Sequence, residues 1–283
     1  FAEIAGAQPL GNISAGGLSH LKDSGAEPIR PGRPLLYTSV DSVFQVAAHE
    51  DVLAPEKLYD LCRAAKSLTD EYHIARVIAR PFVGDLQSGF RRTAGRKDFP
   101  VQPPQKTLLE GLIAKGYTVT AVGKISDLFA GRGISASVAT VDNHDGMEKV
   151  IAGLATQDTG LLMANLIDFD MVYGHRKDAV GFGRALEEFD AWLPQLFKAM
   201  RTEDLLVICA DHGCDPTTPG SDHTREYVPV LLWSKAMQRG RALGDRQSFA
   251  DVAATLADFF QVPGTLAGES FERLLGLTRV VNP

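Results

Sequence analysis

The residues best able to do chemistry sit at the ends of two apolar runs. The run 205–210 stops abruptly at Asp211-His212-Gly213, and a further histidine, His223, follows in a turn-rich loop. The run 161–167 stops at Asp168, with Asp170 and His175 close behind. A carboxylate and an imidazole at the end of a buried strand make a ready metal site. This donor mixture suits manganese, zinc or iron better than magnesium or calcium, which prefer oxygen alone. Two such strand ends point to two adjacent ions, and ions about 4 Å apart would clamp a phosphoryl group from both sides. Asp170 and His175 are five apart, so they cannot share one face of an α-helix, and a loop is expected to bring them together. Asp211 and His212 would point apart on a regular strand, but at a strand-to-loop turn they could reach two neighbouring ions. His223 can fold back over a loop containing Pro216, Pro219 and Gly220. Asp178 and Asp215 read as a helix cap and a turn residue. His20, His49, His73 and His144 lack such company and read as ordinary surface or core histidines. Cys209 and Cys214 form a lone C-x4-C, which is weak ground for a zinc site.

The elements that must position these residues follow from periodicity. In the second part of the chain, helical patterns at 105–115, 147–156, 178–200 and 249–260 alternate with apolar strands at 118–122, 161–167, 205–210 and 228–233. That alternation implies a mostly parallel sheet with helices on both faces, buried on both sides. Ligands then gather at the carboxyl ends of the strands. The helix between the two metal-bearing strands should form a right-handed βαβ unit and place those strands near each other in the sheet. The first part differs. Residues 9–34 are rich in Gly, Pro, Ser and Asn around a short helix near 18–21. A strand at 35–39, a helix at 55–68 and a strand at 74–82 follow, and then a polar loop at 83–102. On the strand 74–82, Arg76 and Arg80 face one way and Val77 and Ala79 the other. This part reads as a small α+β domain over residues 1–100, beside an α/β core over 101–283.

The composition is that of an ordinary globular protein of 283 residues, 45% hydrophobic and 23% charged. A net charge of −6 argues against general binding to nucleic acid or acidic membranes. No apolar run is long enough to span a bilayer. An odd number of cysteines (Cys62, Cys209, Cys214) reads most simply as a reducing cytoplasm. Residues 71–100 are locally basic, with six Lys or Arg against three Asp or Glu, and arginine suits bidentate phosphate contacts.

Residues 205–233, with Ala-Asp-His-Gly-Cys-Asp-Pro and Pro-Gly-Ser-Asp-His-Thr-Arg-Glu-Tyr-Val-Pro-Val, resemble the phosphopentomutases of the alkaline phosphatase superfamily. The resemblance extends to 168–176 (Asp-Phe-Asp-Met-Val-Tyr-Gly-His-Arg), 122–127 (Val-Gly-Lys-Ile-Ser-Asp), 76–82 (Arg-Val-Ile-Ala-Arg-Pro-Phe) and 37–44 (Tyr-Thr-Ser-Val-Asp-Ser-Val-Phe). It implies an alkaline-phosphatase-like core with a mostly parallel sheet sandwiched by helices, plus an inserted α+β cap. It implies interconversion of ribose or deoxyribose 1-phosphate and 5-phosphate through a bisphosphate, with two Mn2+ ions and a phosphorylated threonine. By the resemblance, Asp170, His175 and His223 hold one ion, Asp211 and His212 the other, and Asp41, Arg76, Arg92 and Lys124 bind the pentose phosphate. The threonine nucleophile and one further aspartate are expected upstream of Phe1, so the 283 residues alone are expected to be inactive and the catalytic residue is left unassigned. A phosphohydrolase or phosphoglycerate mutase of the same superfamily, or a non-catalytic remnant, are the competing readings. The expected partner is a small sugar phosphate and the expected state a monomer.

Overall fold

The computed structural model describes residues 2–6, 8–14, 33–39, 43–72, 74, 76–220, 222–263 and 267–276. The expected helix near 18–21 and Asp41 lie outside these residues. The chain divides into two compact units, Phe1–Gln102 and Pro103–Pro283, and no described helix is long and apolar enough to cross a membrane.

The first unit begins with a short helix, α1 (Ala2–Ala5), and is built on one sheet. Strands β1 (Leu10–Ser14), β2 (Leu35–Ser39), β3 (Val43–His49) and β4 (Arg76–Val83) lie side by side in that order. β1 is parallel to β2, β2 antiparallel to β3, and β3 parallel to β4 through the crossover helix α2 (Pro55–Glu71). Pro55 suits the first turn of α2, where its missing N–H costs nothing. Leu58, Cys62, Ala65 and Thr69 recur at helical spacing on its buried side. That side meets Leu36, Val46, Ala48, Val77 and Ala79 of the sheet. The opposite face carries Leu35, Tyr37, Ala47 and Phe82. The two faces of β4 therefore divide as its alternation predicts.

Residues 83–102 are not wholly loop. β5 (Arg91–Arg92) and β6 (Lys97–Pro100) both pair antiparallel with β4. They satisfy the outer edge of β4. Being short and charged, as edge strands often are, they carry almost no apolar alternation.

The second unit holds the expected α/β alternation: α3 (Leu108–Ala114), β7 (Thr118–Val122), α4 (Ile125–Leu128), β8 (Ala136–Val138), α5 (Asn143–Thr156), β9 (Gly160–Ala164), α6 (Ala179–Ala199), β10 (Leu206–Cys209), β11 (Val230–Trp233), α7 (Ala250–Phe259) and α8 (Glu272–Leu275). A three-stranded parallel sheet runs β8-β7-β9. Leu108, Leu109 and Leu112 of α3 and Ala257 of α7 pack with Val119 of β7. α3 starts at a capping box, with Thr107 accepting from the Glu110 N–H and Glu110 accepting from the Thr107 N–H.

One expectation fails here. β9 and β10 share no ladder among the described residues. β9 pairs with β7, and β10 forms a separate antiparallel ribbon with β11. The loop after β10 returns the chain directly alongside it, and that local partner occupies one edge of β10. The apolar runs of β9, β10 and β11 are also only partly buried. Each is covered less completely than a strand in the middle of a wide parallel sheet.

Candidate metal centre

The carboxyl ends of β7 and β9 lead into the site through a well-tied segment. Gly123 after β7 adopts a left-handed φ of 79°, and a side chain there would crowd the Asn165 carbonyl at 2.9 Å. Asn165 N–H in turn donates to the Val122 carbonyl (3.1 Å). Beyond it, Asn143 and Asp168 bond reciprocally. Asn143 N–H donates to Asp168 Oδ2 (2.8 Å), and Asp168 N–H donates to Asn143 Oδ1 (2.9 Å). This clip ties the first residue of α5 to the start of the site.

Asp170 and His175 then lie in and after a π-helical turn, Phe169–Gly174. His175 N–H donates to the Asp170 carbonyl (3.0 Å), an i→i+5 bond. The loop expected between them is thus a regular turn of a wider helix. Residues five apart are about 140° apart around an α-helix, but the i→i+5 ring brings them onto one side. His175 Nε2 lies 3.3 Å from Asp170 Oδ1 as a result. π-turns of this kind recur at functional sites. Phe169 anchors the turn edge-to-face on Phe182 of α6, at 5.3 Å between ring centroids. Asp178 caps α6 by accepting from Gly181 N–H (2.8 Å), as a capping aspartate should.

The end of β10 supplies the rest. His223 Nε2 lies 3.2 Å from the same Asp170 Oδ1. The His223 ring stacks on His212 at 3.7 Å and on His175 at 4.9 Å. An antiparallel bridge between Gly213 and Thr224 folds this loop back. Asp215 stabilises its tip by accepting from Thr217 N–H, Thr217 Oγ1 and Thr218 Oγ1. Those bonds hold the Asp215 carboxyl below the usual carboxylate range. Gly213 leaves room for the Glu226 carboxylate, which a side chain at 213 would displace.

Two overlapping donor groups emerge, each with its ligand atoms within 4.8 Å of one another: Asp170 with His212 and His223, and Asp170 with His175 and Cys214. The structure therefore brings together Asp170, His175, His212 and His223. Asp211 is more exposed, lies 3.6 Å from His212 Nε2, and joins no such group among the described residues. A lone C-x4-C is weak ground for a zinc site, and Cys214 does not meet Cys209 in such a group among the described residues. Its partners are a histidine and an aspartate from a distant strand end. Burial, and then the negative charge of Asp170, pushes its thiol up to about 11.

The donor set fits a divalent cation. Asp170 Oδ1 is buried and makes no well-formed hydrogen bond, although two imidazole nitrogens approach it. A buried carboxylate oxygen without a partner is costly, and a cation held among these electron pairs removes that cost.

Lys124, just past β7, reaches the same edge; its Nζ lies 2.6 Å from Met171 Sδ, next to Asp170 in the chain. In the first unit, Arg76 lies 3.8 Å from Asp98, which Arg96 grips with two bonds of 2.7 Å. Arg92 stands exposed on β5 opposite Phe82. Arg80, on the face of Arg76, donates to Gln45 (3.0 Å), and burial, followed by repulsion from Arg96, lowers its pKa. His49 is a core histidine bonded to the Gly84 carbonyl, and His144 is exposed beside Glu148. His20 and His73 lie outside the described residues.

A family model described as the Metalloenzyme superfamily matches residues 6–264. A phosphopentomutase of Syntrophotalea carbinolica is 56% identical over 276 residues, spanning 97% of this chain and 70% of the relative. The chain belongs to the phosphopentomutase family. Phosphopentomutases of Symbiobacterium thermophilum (52% identical, 93% of this chain, 67% of the relative) and Carboxydothermus hydrogenoformans (50%, 96% and 70%) agree. A solved structure of a protein from Pyrococcus horikoshii overlays with a TM-score of 0.44 at 10% identity, covering 74% of this chain and 64% of that one. That likeness is too slight to bear on the fold. Membership in this metalloenzyme group implies binding of divalent metal, and among the described residues the two groups around Asp170 are ones that could hold it.

Proposed function

We propose that the protein is a phosphopentomutase, an isomerase that interconverts ribose or deoxyribose 1-phosphate and 5-phosphate through a bisphosphate. The observation that carries this reading is the convergence of side chains from two strand ends on one buried oxygen, Asp170 Oδ1, in a chain 56% identical to a phosphopentomutase. We assign Asp170, His175 and His223 to one ion and Asp211 and His212 to a second, both Mn2+. Bound there, the metals would neutralise charge developing on the transferred phosphoryl oxygens. Lys124, at the same edge, adds a positive charge for a substrate phosphate.

In this reading the first unit, residues 1–100, is the substrate-facing cap and 101–283 belongs to the metal-binding core. Arg76 and Arg92 hold the phosphate, and Asp41 accepts from sugar hydroxyls. Guanidinium groups are suited to this because their forked N–H groups match phosphate oxygens. Excluding water matters as much as binding, since water would divert the phosphoryl group to hydrolysis. We take the enzyme to act as a monomer in the cytoplasm, consistent with Cys62, Cys209 and Cys214 being free thiols.

The test is product analysis with the full-length gene product, Mn2+ and ribose 1-phosphate. Ribose 5-phosphate is expected to accumulate without inorganic phosphate, and Asp170→Ala and His223→Ala should abolish it. Stoichiometric release of inorganic phosphate would replace the mutase reading with a phosphohydrolase.

A further inference from the structure

We infer that Arg80 is a further phosphate-binding residue, forming a clasp with Arg76 over Ile78, and that Gln45 positions it. The inference rests on the reading of Arg76 as a phosphate ligand and names a second guanidinium for the same group.

Register brings the two arginines together. Arg76, Ile78 and Arg80 alternate along β4 with Val77 and Ala79, which pack toward α2, so the three share the opposite face of the sheet. Ile78 pairs with Gln45 of β3 on one side and with Asp98 of β6 on the other. Arg80 Nε donates to Gln45 Oε1 (3.0 Å), and Arg76 Nη1 lies 3.8 Å from Asp98 Oδ2. Both guanidiniums are thereby drawn to the level of Ile78, one along each flank. Gln45 and Asp98 stand two strand spacings apart, about 10 Å. A phosphate bonded on both sides spans slightly less, two bonds of about 2.9 Å and the group between them.

The surroundings of Arg80 leave its charge available. The side chain is half-buried, and its terminal amino groups make no hydrogen bond among the described residues. Gln45, which holds Nε, is buried. A neutral amide fixes the guanidinium without cancelling its charge. Among the described residues, the carboxylate whose charge acts on Arg80 is Asp98, which Arg96 already grips with two bonds of 2.7 Å. Desolvated like charges on one face are costly, and an anion between them offsets that cost. The forked N–H groups of two guanidiniums match the oxygens of a phosphate monoester.

Steady-state kinetics of the full-length enzyme with Mn2+ and ribose 1-phosphate test this. The loss should fall on KM rather than kcat, as expected for a contact made equally in the bound substrate and the transition state. KM should rise about tenfold in Arg80→Lys, which keeps the charge but loses the fork. It should rise about a hundredfold in Arg80→Met, near the upper range for a hydrogen bond to a charged group. Gln45→Met should raise KM about tenfold in the wild-type background and add nothing further to Arg80→Met. Arg80→Lys keeps the stem and the charge, so it decides the question alone where the methionine variant fails to fold. Unchanged KM in the Arg80 variants beside a raised KM in Arg76→Met would overturn the role of Arg80 and leave Arg76 standing. So would a fall in kcat with KM fixed. A further rise on combining Gln45→Met with Arg80→Met would overturn the positioning role of Gln45. Unchanged KM in Arg76→Met as well would overturn the phosphate-binding face and this inference together.

Discussion

Replacing Asn143 by alanine should loosen the second unit and the metal centre at once. The side-chain carbonyl of Asn143 is the acceptor for Asp168 N–H at 2.9 Å, and Asn143 is buried. Alanine removes that acceptor and leaves a part-buried N–H unsatisfied, which costs about 1–3 kcal/mol. Alanine is the better helix former at this first position of α5, returning up to about 0.7 kcal/mol. The net loss is then about 1–2 kcal/mol. With a urea slope of about 2 kcal/mol/M, the midpoint falls by about 0.5–1 M. Both tryptophans of the chain, Trp192 and Trp233, lie in the second unit, so their fluorescence follows that unit selectively. Asp168 directly precedes the π-turn, so Co(II) affinity should fall together with the midpoint. An unmoved fluorescence midpoint would show that the clip carries no stability. A lowered midpoint with unchanged cobalt affinity would show that it does not position Asp170.

Three further outcomes are expected. The Asp251 carboxylate accepts from Glu269 N–H (2.8 Å) and from Arg246 (2.9 Å), which hold its pKa below the ordinary 3.8. A depressed pKa means that its stabilising contribution is present at neutral pH and is lost as pH falls below about 4 through the folded value. Asp251→Asn should therefore unfold more easily than wild type at pH 7 in thermal melts, and the gap should narrow on acidification. Thr107→Ala should cost about 1 kcal/mol of stability in urea titrations by removing the hydroxyl half of the α3 capping box. Finally, Mn2+ at about a hundred times its dissociation constant should add about 2.7 kcal/mol to the stability of the protein. That would appear as a raised melting temperature, reversed by chelator and absent in Asp170→Ala.

Much of this molecule was legible in the order of its residues. The apolar runs that became β7, β9, β10 and β11, the amphipathic stretch of α6 and the capping role of Asp178 all declare themselves through period and residue type. So do the two strand ends that deliver Asp170, His175, His212 and His223 to one place. What stayed hidden depends on pairing and on hydrogen-bond register. Nothing in the run 205–210 says that its neighbour is β11 rather than β9, because an apolar strand accepts either partner. β5 and β6 are too short and charged to alternate. An i→i+5 turn cannot be told from a loop by composition. The place of Cys214 beside Asp170 and His175 was not legible, because those residues lie roughly forty positions away in the chain, where no spacing rule reaches.

The π-turn at Phe169–Gly174 also bears on how this site tolerates change over evolutionary time. Point substitutions that keep its backbone leave Asp170 and His175 side by side. A backbone that closed its rings at i→i+4 over the same residues would instead leave the two ligands, still five apart, roughly 140° apart around an α-helix. A spacing of five therefore needs the wide turn, whereas a spacing of four would need an ordinary α-turn, on which the pair would stand about 40° apart. Among descendants of this chain, the five-residue count from Asp170 to His175 and the π-turn should therefore be kept or lost together for as long as the pair serves one ion.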